Sequence, residues 1–301
     1  MIPSPQPGTI LIAGPTAVGK TALAVALAQS IDAEIISADA MQIYRGLEIL
    51  SAAPASEERA QVPHHLVGVL DASERCDAAR WLAMAEAAMT TIHARGKTAI
   101  LCGGTGLYFR AYTHGLATMP PHDPAIRAQL ETLPLPDLQV RYAQLDPDGA
   151  LRIDLNNPRR LIRAIEVSEL SGKPFSSFLR ETIPLRTPPA FFLTREKNDL
   201  YRRIDARVET MFKQGLEDEV RHLQNPGDTA NQAIGLADIQ LLLAGKQDRS
   251  SAISSMQQAT RRYAKRQLTW FRRETQFQPL NLSENSQPLE AMRSRLVATH
   301  E

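Results

Sequence analysis

A glycine loop set between an apolar run and an unbroken helical stretch predicts an α/β fold. Two further short apolar runs that end in polar turns, and a proline-rich stretch almost without strand signal, complete the pattern. The expected architecture is a P-loop NTPase-like parallel sheet with flanking helices and a helical insertion domain. The boundaries fall at residues 1–116 for the first part of the core, 117–189 for the insertion and 190–301 for the rest of the core with a basic C-terminal helix.

The glycine loop is Gly14-Pro15-Thr16-Ala17-Val18-Gly19-Lys20-Thr21, with the spacing G-x-x-x-x-G-K-[ST]. Thr9-Ile10-Leu11-Ile12-Ala13 precedes it and Ala22 to Ala28 follows without a helix breaker. Gly14 and Gly19 let the backbone turn so that successive amides face one polyphosphate, and the following helix adds its positive end. Lys20 supplies a point charge, and the Thr21 hydroxyl is placed to ligate a magnesium ion on the phosphates. A turn that binds nothing would not need strand and helix on either side.

Glu34 to Ser37 reads as a second buried strand. Asp39 falls just beyond its carboxyl end, where open parallel sheets place ligands, although an aspartate there also suits a local turn. Gly46 to Gly68 is loop-rich, and Asp77 to Ala94 is an amphipathic helix. Thr98 to Cys102 is a third strand, and Gly103-Gly104-Thr105 opens another helix beside the first anion nest. Nucleotide-hydrolysing proteins of this kind end such a strand in a magnesium-binding aspartate. Cys102 stands here instead, so the phosphate donor need not be a nucleotide that is hydrolysed.

From 117 to 189 prolines recur between short helical patterns. Asn157 is a candidate N-cap with Pro158 at the first helical position. Arg159, Arg160 and Arg163 follow within two turns, where cations oppose the helix dipole. Either a solvated face or an anionic partner accounts for them. Phe191 to Thr194 is a return strand, Asn198 to Leu223 a long helix broken or bent near Gly215, and Ala233 to Leu243 a shorter one. The last strong helix, about Ser250 to Glu274, carries Arg261, Arg262, Lys265, Arg266, Arg272 and Arg273, with no acidic residue from Met256 to Arg273. Met256, Tyr263, Trp270 and Phe271 recur at near-helical spacing and read as a core-facing stripe; the basic residues suit RNA phosphates or a diphosphate.

Composition bounds the class. The chain has 301 residues, 43% hydrophobic and 22% charged, with a net charge of +1, which does not announce a nucleic-acid partner. No signal-peptide pattern or membrane-length apolar run occurs, and Cys76 and Cys102 make neither a disulfide framework nor a zinc cluster. A monomeric cytoplasmic protein is expected.

Four motifs occur in order: Gly14 to Thr21, Ile36-Ser37-Ala38-Asp39-Ala40-Met41-Gln42-Ile43-Tyr44, Gly103-Gly104-Thr105-Gly106-Leu107-Tyr108, and Arg262-Tyr263-Ala264-Lys265-Arg266-Gln267-Leu268-Thr269-Trp270-Phe271-Arg272. Together they resemble the tRNA dimethylallyltransferase (tRNA isopentenyltransferase) family, from about Thr9 to Glu274. The resemblance implies transfer of a dimethylallyl group from dimethylallyl diphosphate to the exocyclic amine of the adenosine 3′ of the anticodon, with Mg2+ required. It implies that Gly14, Pro15, Thr16, Ala17, Val18, Gly19, Lys20 and Thr21 hold the diphosphate, with Thr21 on the metal. Asp39 would take the amine proton or a hydrogen bond from it, and Thr105 would orient the reacting groups. Asp39, Ala40, Met41, Gln42, Thr105, Arg127, Arg159, Arg160, Leu161, Ile162 and Arg163 would touch the tRNA anticodon stem-loop. Two departures weigh against full activity: Ala53 stands where the family has a lysine, and Gln232 where it tends to have an arginine. A diverged paralogue that binds without efficient transfer, and a small-molecule or nucleotide kinase, are the competing readings.

Overall fold

The computed structural model describes residues 8–179 and 184–298; the first residues, read above for targeting signals, lie outside that range. Strands β1 (Thr9–Ala13), β2 (Ala33–Ala38), β3 (His64–His65), β4 (Thr98–Gly103), β5 (Ala190–Thr194) and β6 (Gln278–Asn281) form one six-stranded sheet in the order β3-β2-β4-β1-β5-β6. Every pairing is parallel. Helices are α1 (Lys20–Ile31), α2 (Ser56–Gln61), α3 (Ala78–Ala94), α4 (Gly106–His114), α5 (Pro124–Glu131), α6 (Leu135–Leu145) and α7 (Pro147–Ala150) in the first half. They continue as α8 (Pro158–Ser171), α9 (Lys197–Lys213), α10 (Leu216–His222), α11 (Leu236–Leu243), α12 (Arg249–Phe271) and α13 (Pro288–Ala298).

Parallel strands buried on both faces need apolar residues at every position, and the alternation then sorts them into two cores. Leu11 and Ala13 of β1, Ile36 of β2 and Leu101 of β4 join one cluster with Trp81, Phe109, Met256 and Phe271. Ile10, Ile12, Ile35 and Ile100 join the opposite cluster with Leu23, Leu27, Leu200, Ile204 and Met292. The stripe on α12 is therefore core at Met256 and Phe271, as its spacing predicts. The helical stretch expected over 198–223 with a break or bend near Gly215 is two helices, α9 and α10, because Gly215 adopts φ 93 between them.

Several elements escaped the sequence reading, among them α2, which lies inside the stretch read as loop, and β3, β6 and α13. β3 spans only His64–His65, and β6 carries Pro279, which an edge strand tolerates because one side of its backbone needs no partner. α13 has too weak an apolar pattern to announce itself.

The chain forms two compact units, Met1–Thr113 with Arg186–Glu301, and His114–Leu185. The second has its own small core, in which Leu130, Leu138 and Tyr142 pack against Leu161, Ile162 and Ile165 of α8.

Candidate active site

Register brings the site together. β1 pairs Ala13 with Gly103 of β4, and β2 pairs Ala38 with the same Gly103. The segments leaving β1, β2 and β4 at their carboxyl ends thus lie side by side, and those segments are the glycine loop, Asp39 and Thr105. This is the position at which a parallel sheet presents ligand-binding groups.

The loop has the geometry its spacing predicts, with one revised reason. Gly19 turns the chain at φ +105, in the region that favours glycine. Gly14 is needed for a different purpose: a Cβ there would lie 2.8 Å from the Leu193 carbonyl of β5. Ala17 holds a left-handed φ of 63, a strained conformation for a residue with a side chain. No side chain caps the start of α1, and its first turn has no acidic residue. Its unpaired amides are consequently open to an anion. Lys20 Nζ donates to the Gly14 and Pro15 carbonyls at 2.9 and 2.8 Å. Burial lowers its pKa to about 8, Cys102 and Asp39 push it upward and Arg207 pushes it further down.

Asp39 makes a local turn bond and also lies in the cleft. One carboxylate oxygen accepts the Met41 amide at 2.9 Å, a local turn bond that fixes the group. The same carboxylate lines a cleft of about 690 Å³ together with Thr16, Gly19, Lys20 and Thr21. Thr105 is anchored beside it: its amide donates to Ala38 O at 3.1 Å, and its Oγ1 accepts the Ala40 amide at 3.1 Å. Ser37 Oγ donates to Gln42 Oε1 at 2.8 Å, and Gln42 Nε2 donates to Ala52 O at 3.1 Å, so the Gln42 carboxamide braces the cleft wall. Cys102 lies in the cleft as a neutral thiol, its pKa pushed up to about 11 by burial.

Helix α12 closes this arrangement. Gln267, buried, accepts the Thr16 amide through Oε1 at 2.9 Å and donates from Nε2 to Gly104 O at 2.9 Å. One turn earlier, Tyr263 lies near Thr105 and Gln267; burial and the Asp39 charge raise its pKa well above the phenol range.

The sequence reading missed a set of arginines on the other side of the loop. Arg195 Nε donates to Val18 O at 2.8 Å, and Arg203 Nε to Ala17 O at 2.9 Å. Arg203 and Arg207 line the cleft. Burial, then the neighbouring Arg203 charge, lowers the Arg207 pKa. A signal was present: Arg195 directly follows β5, and Arg203 and Arg207 are four residues apart on one helix face, where like charges repel unless an anion lies between them. Arg203 and Arg207 bring cations to the cleft, to be set beside the two departures, Ala53 and Gln232, that the sequence reading noted. Ala53 does line the cleft, whereas Gln232 is exposed, with Nε2 donating to Asp228 O at 2.8 Å.

The predicted RNA contacts of the insertion lie within the unit His114–Leu185. Asn157 caps α8 through the Arg160 amide at 3.2 Å, with Pro158 in the first turn. Leu161 and Ile162 are buried in the small core, so side-chain contact from this stretch belongs to Arg159, Arg160 and Arg163. Arg127 and Arg163 both approach Glu166, at 3.4 and 2.7 Å. On α12, Arg261 is held by the Asp205 carboxylate, while Arg262, Lys265, Arg266, Arg272 and Arg273 are solvent-accessible.

Among the described residues no cluster of three or more His, Cys, Asp or Glu is placed to hold a metal, and no helix is long and apolar enough to cross a membrane. Residues 42–274 match the family profile described as IPP transferase, and residues 7–66 that described as isopentenyl transferase. The chain is 42% identical over 280 residues to a tRNA dimethylallyltransferase of Syntrophobacter fumaroxidans, covering 89% of this chain and 82% of that one. It is 42% identical over 282 residues to one from Caulobacter sp. (strain K31), covering 90% and 91%. Among solved structures, the tRNA isopentenylpyrophosphate transferase of Bacillus halodurans superimposes with a TM-score of 0.70 at 34% identity, covering 97% of this chain and 95% of that one. A eukaryotic dimethylallyltransferase seen in crystallographic snapshots acting on tRNA gives 0.81 at 26% identity, covering 97% and 79%. With its profile matched from Gln42 to Glu274 and these relatives aligned over most of its length, the chain belongs to the IPP transferase family.

Proposed function

We propose that the chain transfers a dimethylallyl group from dimethylallyl diphosphate to the exocyclic amine of the adenosine 3′ of the anticodon in tRNA. The observation that carries this reading is the placing of an anion loop beside Asp39 and Thr105, with Gln267 bonded to the loop and to the Gly103–Thr105 turn. A kinase reading has no such use for Asp39 and Thr105, and lacks an acidic residue at Cys102.

The chemistry is one displacement. The amine nitrogen bonds to the first allyl carbon as its bond to the diphosphate oxygen breaks, and the diphosphate leaves with the electron pair. The loop amides, Lys20, Arg203 and Arg207 stabilise the charge gathering on that leaving group, the largest contribution expected here. Lys20 then exchanges its carbonyl partners for diphosphate oxygens. Asp39, fixed by the Met41 amide, accepts the proton that the amine loses as it becomes cationic. Thr105, held by the Ala40 amide and the Ala38 carbonyl, positions the acceptor. The adenine must leave its stack to react, which costs least in a single-stranded loop.

The donor set suits Mg2+. This ion keeps several waters and takes one or two carboxylates plus substrate phosphates, so the diphosphate and the Thr21 hydroxyl would hold it with Asp39 as a carboxylate of the same cleft. When bound, it supplies further neutralisation of the leaving group. Single-turnover transfer from labelled dimethylallyl diphosphate to an anticodon stem-loop tests the reading. Label should reach the RNA with the unaltered protein and fail to do so with Asp39→Ala; label that persists with Asp39→Ala removes Asp39 from its role. ATP turnover with a small acceptor, and no labelled RNA, would favour a kinase.

A further inference from the structure

Among the described residues of the unit His114–Leu185 the carboxylates of Asp146 and Glu166 are buried, and that of Glu166 on α8 is wholly withdrawn from solvent. A buried charge is costly unless donors surround it. Its Oε1 accepts from His122 Nδ1 at 2.7 Å and from the Asp123 amide at 2.9 Å. Its Oε2 accepts from Arg163 Nη1 at 2.7 Å and from Arg127 Nη2 at 3.4 Å. Burial works against the ionised form, but the hydrogen bonds from Arg163, His122 and the Asp123 amide outweigh it, and the pKa lies below the ordinary carboxylate value. An ionised carboxylate only accepts, so His122 Nδ1 carries the hydrogen and Nε2 is the ring atom left to meet another molecule.

The arginines are held unequally. Arg163 is fixed at a second point, its Nη2 donating to Pro120 O at 2.8 Å. Arg127 has only the longer approach to Glu166, and its Nε is buried without a partner. A buried donor left unpaired is costly, and since Nε is closed to solvent it is the Nη end of this guanidinium that an anion would meet. Arg127 and Arg163 exceed the charge of the carboxylate they share, so the cluster keeps a net positive charge.

We propose that Glu166 is a positioning residue for RNA recognition, and that His122 joins Arg127 and Arg163 in contacting the sugar-phosphate backbone; this rests on the tRNA reading above. Glu166 holds the imidazole and the Arg163 guanidinium in fixed directions and holds Arg127 by one longer contact. Together they form a preformed site that matches a folded RNA rather than a diffuse positive surface.

The test is binding of the full chain to a fluorescent anticodon stem-loop, and separately to unstructured poly-U. Glu166→Gln keeps the side-chain shape and makes the protein more positive by one charge, so a purely electrostatic surface would bind both RNAs more tightly. The expected result is about a tenfold loss for the stem-loop, no loss for poly-U, and a transfer defect that falls on the KM for RNA rather than on kcat. Stem-loop affinity that is equal or tighter overturns the proposal. Should Glu166→Gln melt the insertion, His122→Ala decides, with about a threefold loss expected and unchanged affinity overturning the assignment. Failure of the unaltered protein to bind the stem-loop would instead strike the tRNA reading itself.

Discussion

Gln267 accepts the Thr16 amide at 2.9 Å, a bond across 251 residues of sequence that ties the basic helix α12 to the anion loop. Its other end donates to Gly104 O, so one carboxamide spans the groups assigned to the leaving diphosphate and those assigned to the attacking amine. Removing it with Gln267→Ala leaves a buried donor and acceptor unpaired, at about 1–3 kcal/mol of stability. The larger expected effect is on chemistry: a shift of about 1 Å between the two sides lowers kcat on the order of a hundredfold. Single-turnover transfer at saturating substrates measures this, and a rate within about twofold of normal would show that the two sides are aligned by something else.

The depressed pKa of Lys20 has a measurable sign. The unfolded chain keeps this proton up to 10.5, whereas the folded free protein releases it near 8. Between those values the unfolded state binds more protons, so the contribution of Lys20 makes stability rise with pH across that window. An anion replacing the two carbonyls favours the charged amine and raises its pKa again. Binding of inorganic pyrophosphate near pH 8 is therefore expected to take up protons, read by calorimetry in buffers of different ionisation enthalpy. Binding with no proton uptake would place the anion away from Lys20.

Arg207 and Gln232 separate the observed cations from the one that the family pattern leads one to expect. Arg207→Gln should weaken pyrophosphate binding about 10- to 100-fold, the range for removing a buried hydrogen bond to a charged group. Gln232→Arg adds a cation at an exposed position that does not line the cleft, and should change binding by less than about twofold. A large gain of turnover in Gln232→Arg would restore the idea that the substitution limits the enzyme.

The exposed face of α12 can be tested by salt. Neutralising Arg262 and Arg266 together should weaken RNA binding and reduce the slope of log K against log salt, by about 0.7–0.9 for each phosphate that is no longer neutralised. Arg261 is already paired with Asp205, so Arg261→Gln should act chiefly on stability. An unchanged slope in the double variant would mean that this face meets something other than RNA.

The elements legible in the sequence are those specified by short-range pattern. Gly19 is demanded by a left-handed turn, the alternation in β1 by two buried faces, and Asn157 with Pro158 by the start of α8. Asp39 and Thr105 were legible because each lies within two residues of a strand end, and strand ends are where a parallel sheet gathers its chemistry. Arg203 and Arg207 were not singled out, because a charged residue on an amphipathic helix looks alike whether it faces water or a loop carbonyl; Arg195, just past β5, was passed over although its strand-end place was a signal. Gln267 was hidden for a related reason: its partners are 251 and 163 residues away, and no local pattern records them.

By itself, then, the sequence determined the α/β class, the anion loop and the order of the strand-end residues. Local sterics and the side-chain alternation of a buried strand act over a few residues and leave their mark there. Tertiary structure alone decided which cations reach the cleft, that Gln267 joins its two sides, and that Glu166 gathers Arg127, Arg163 and His122. Those outcomes depend on strand order and helix packing, which bring distant residues within the roughly 3 Å over which a hydrogen bond acts.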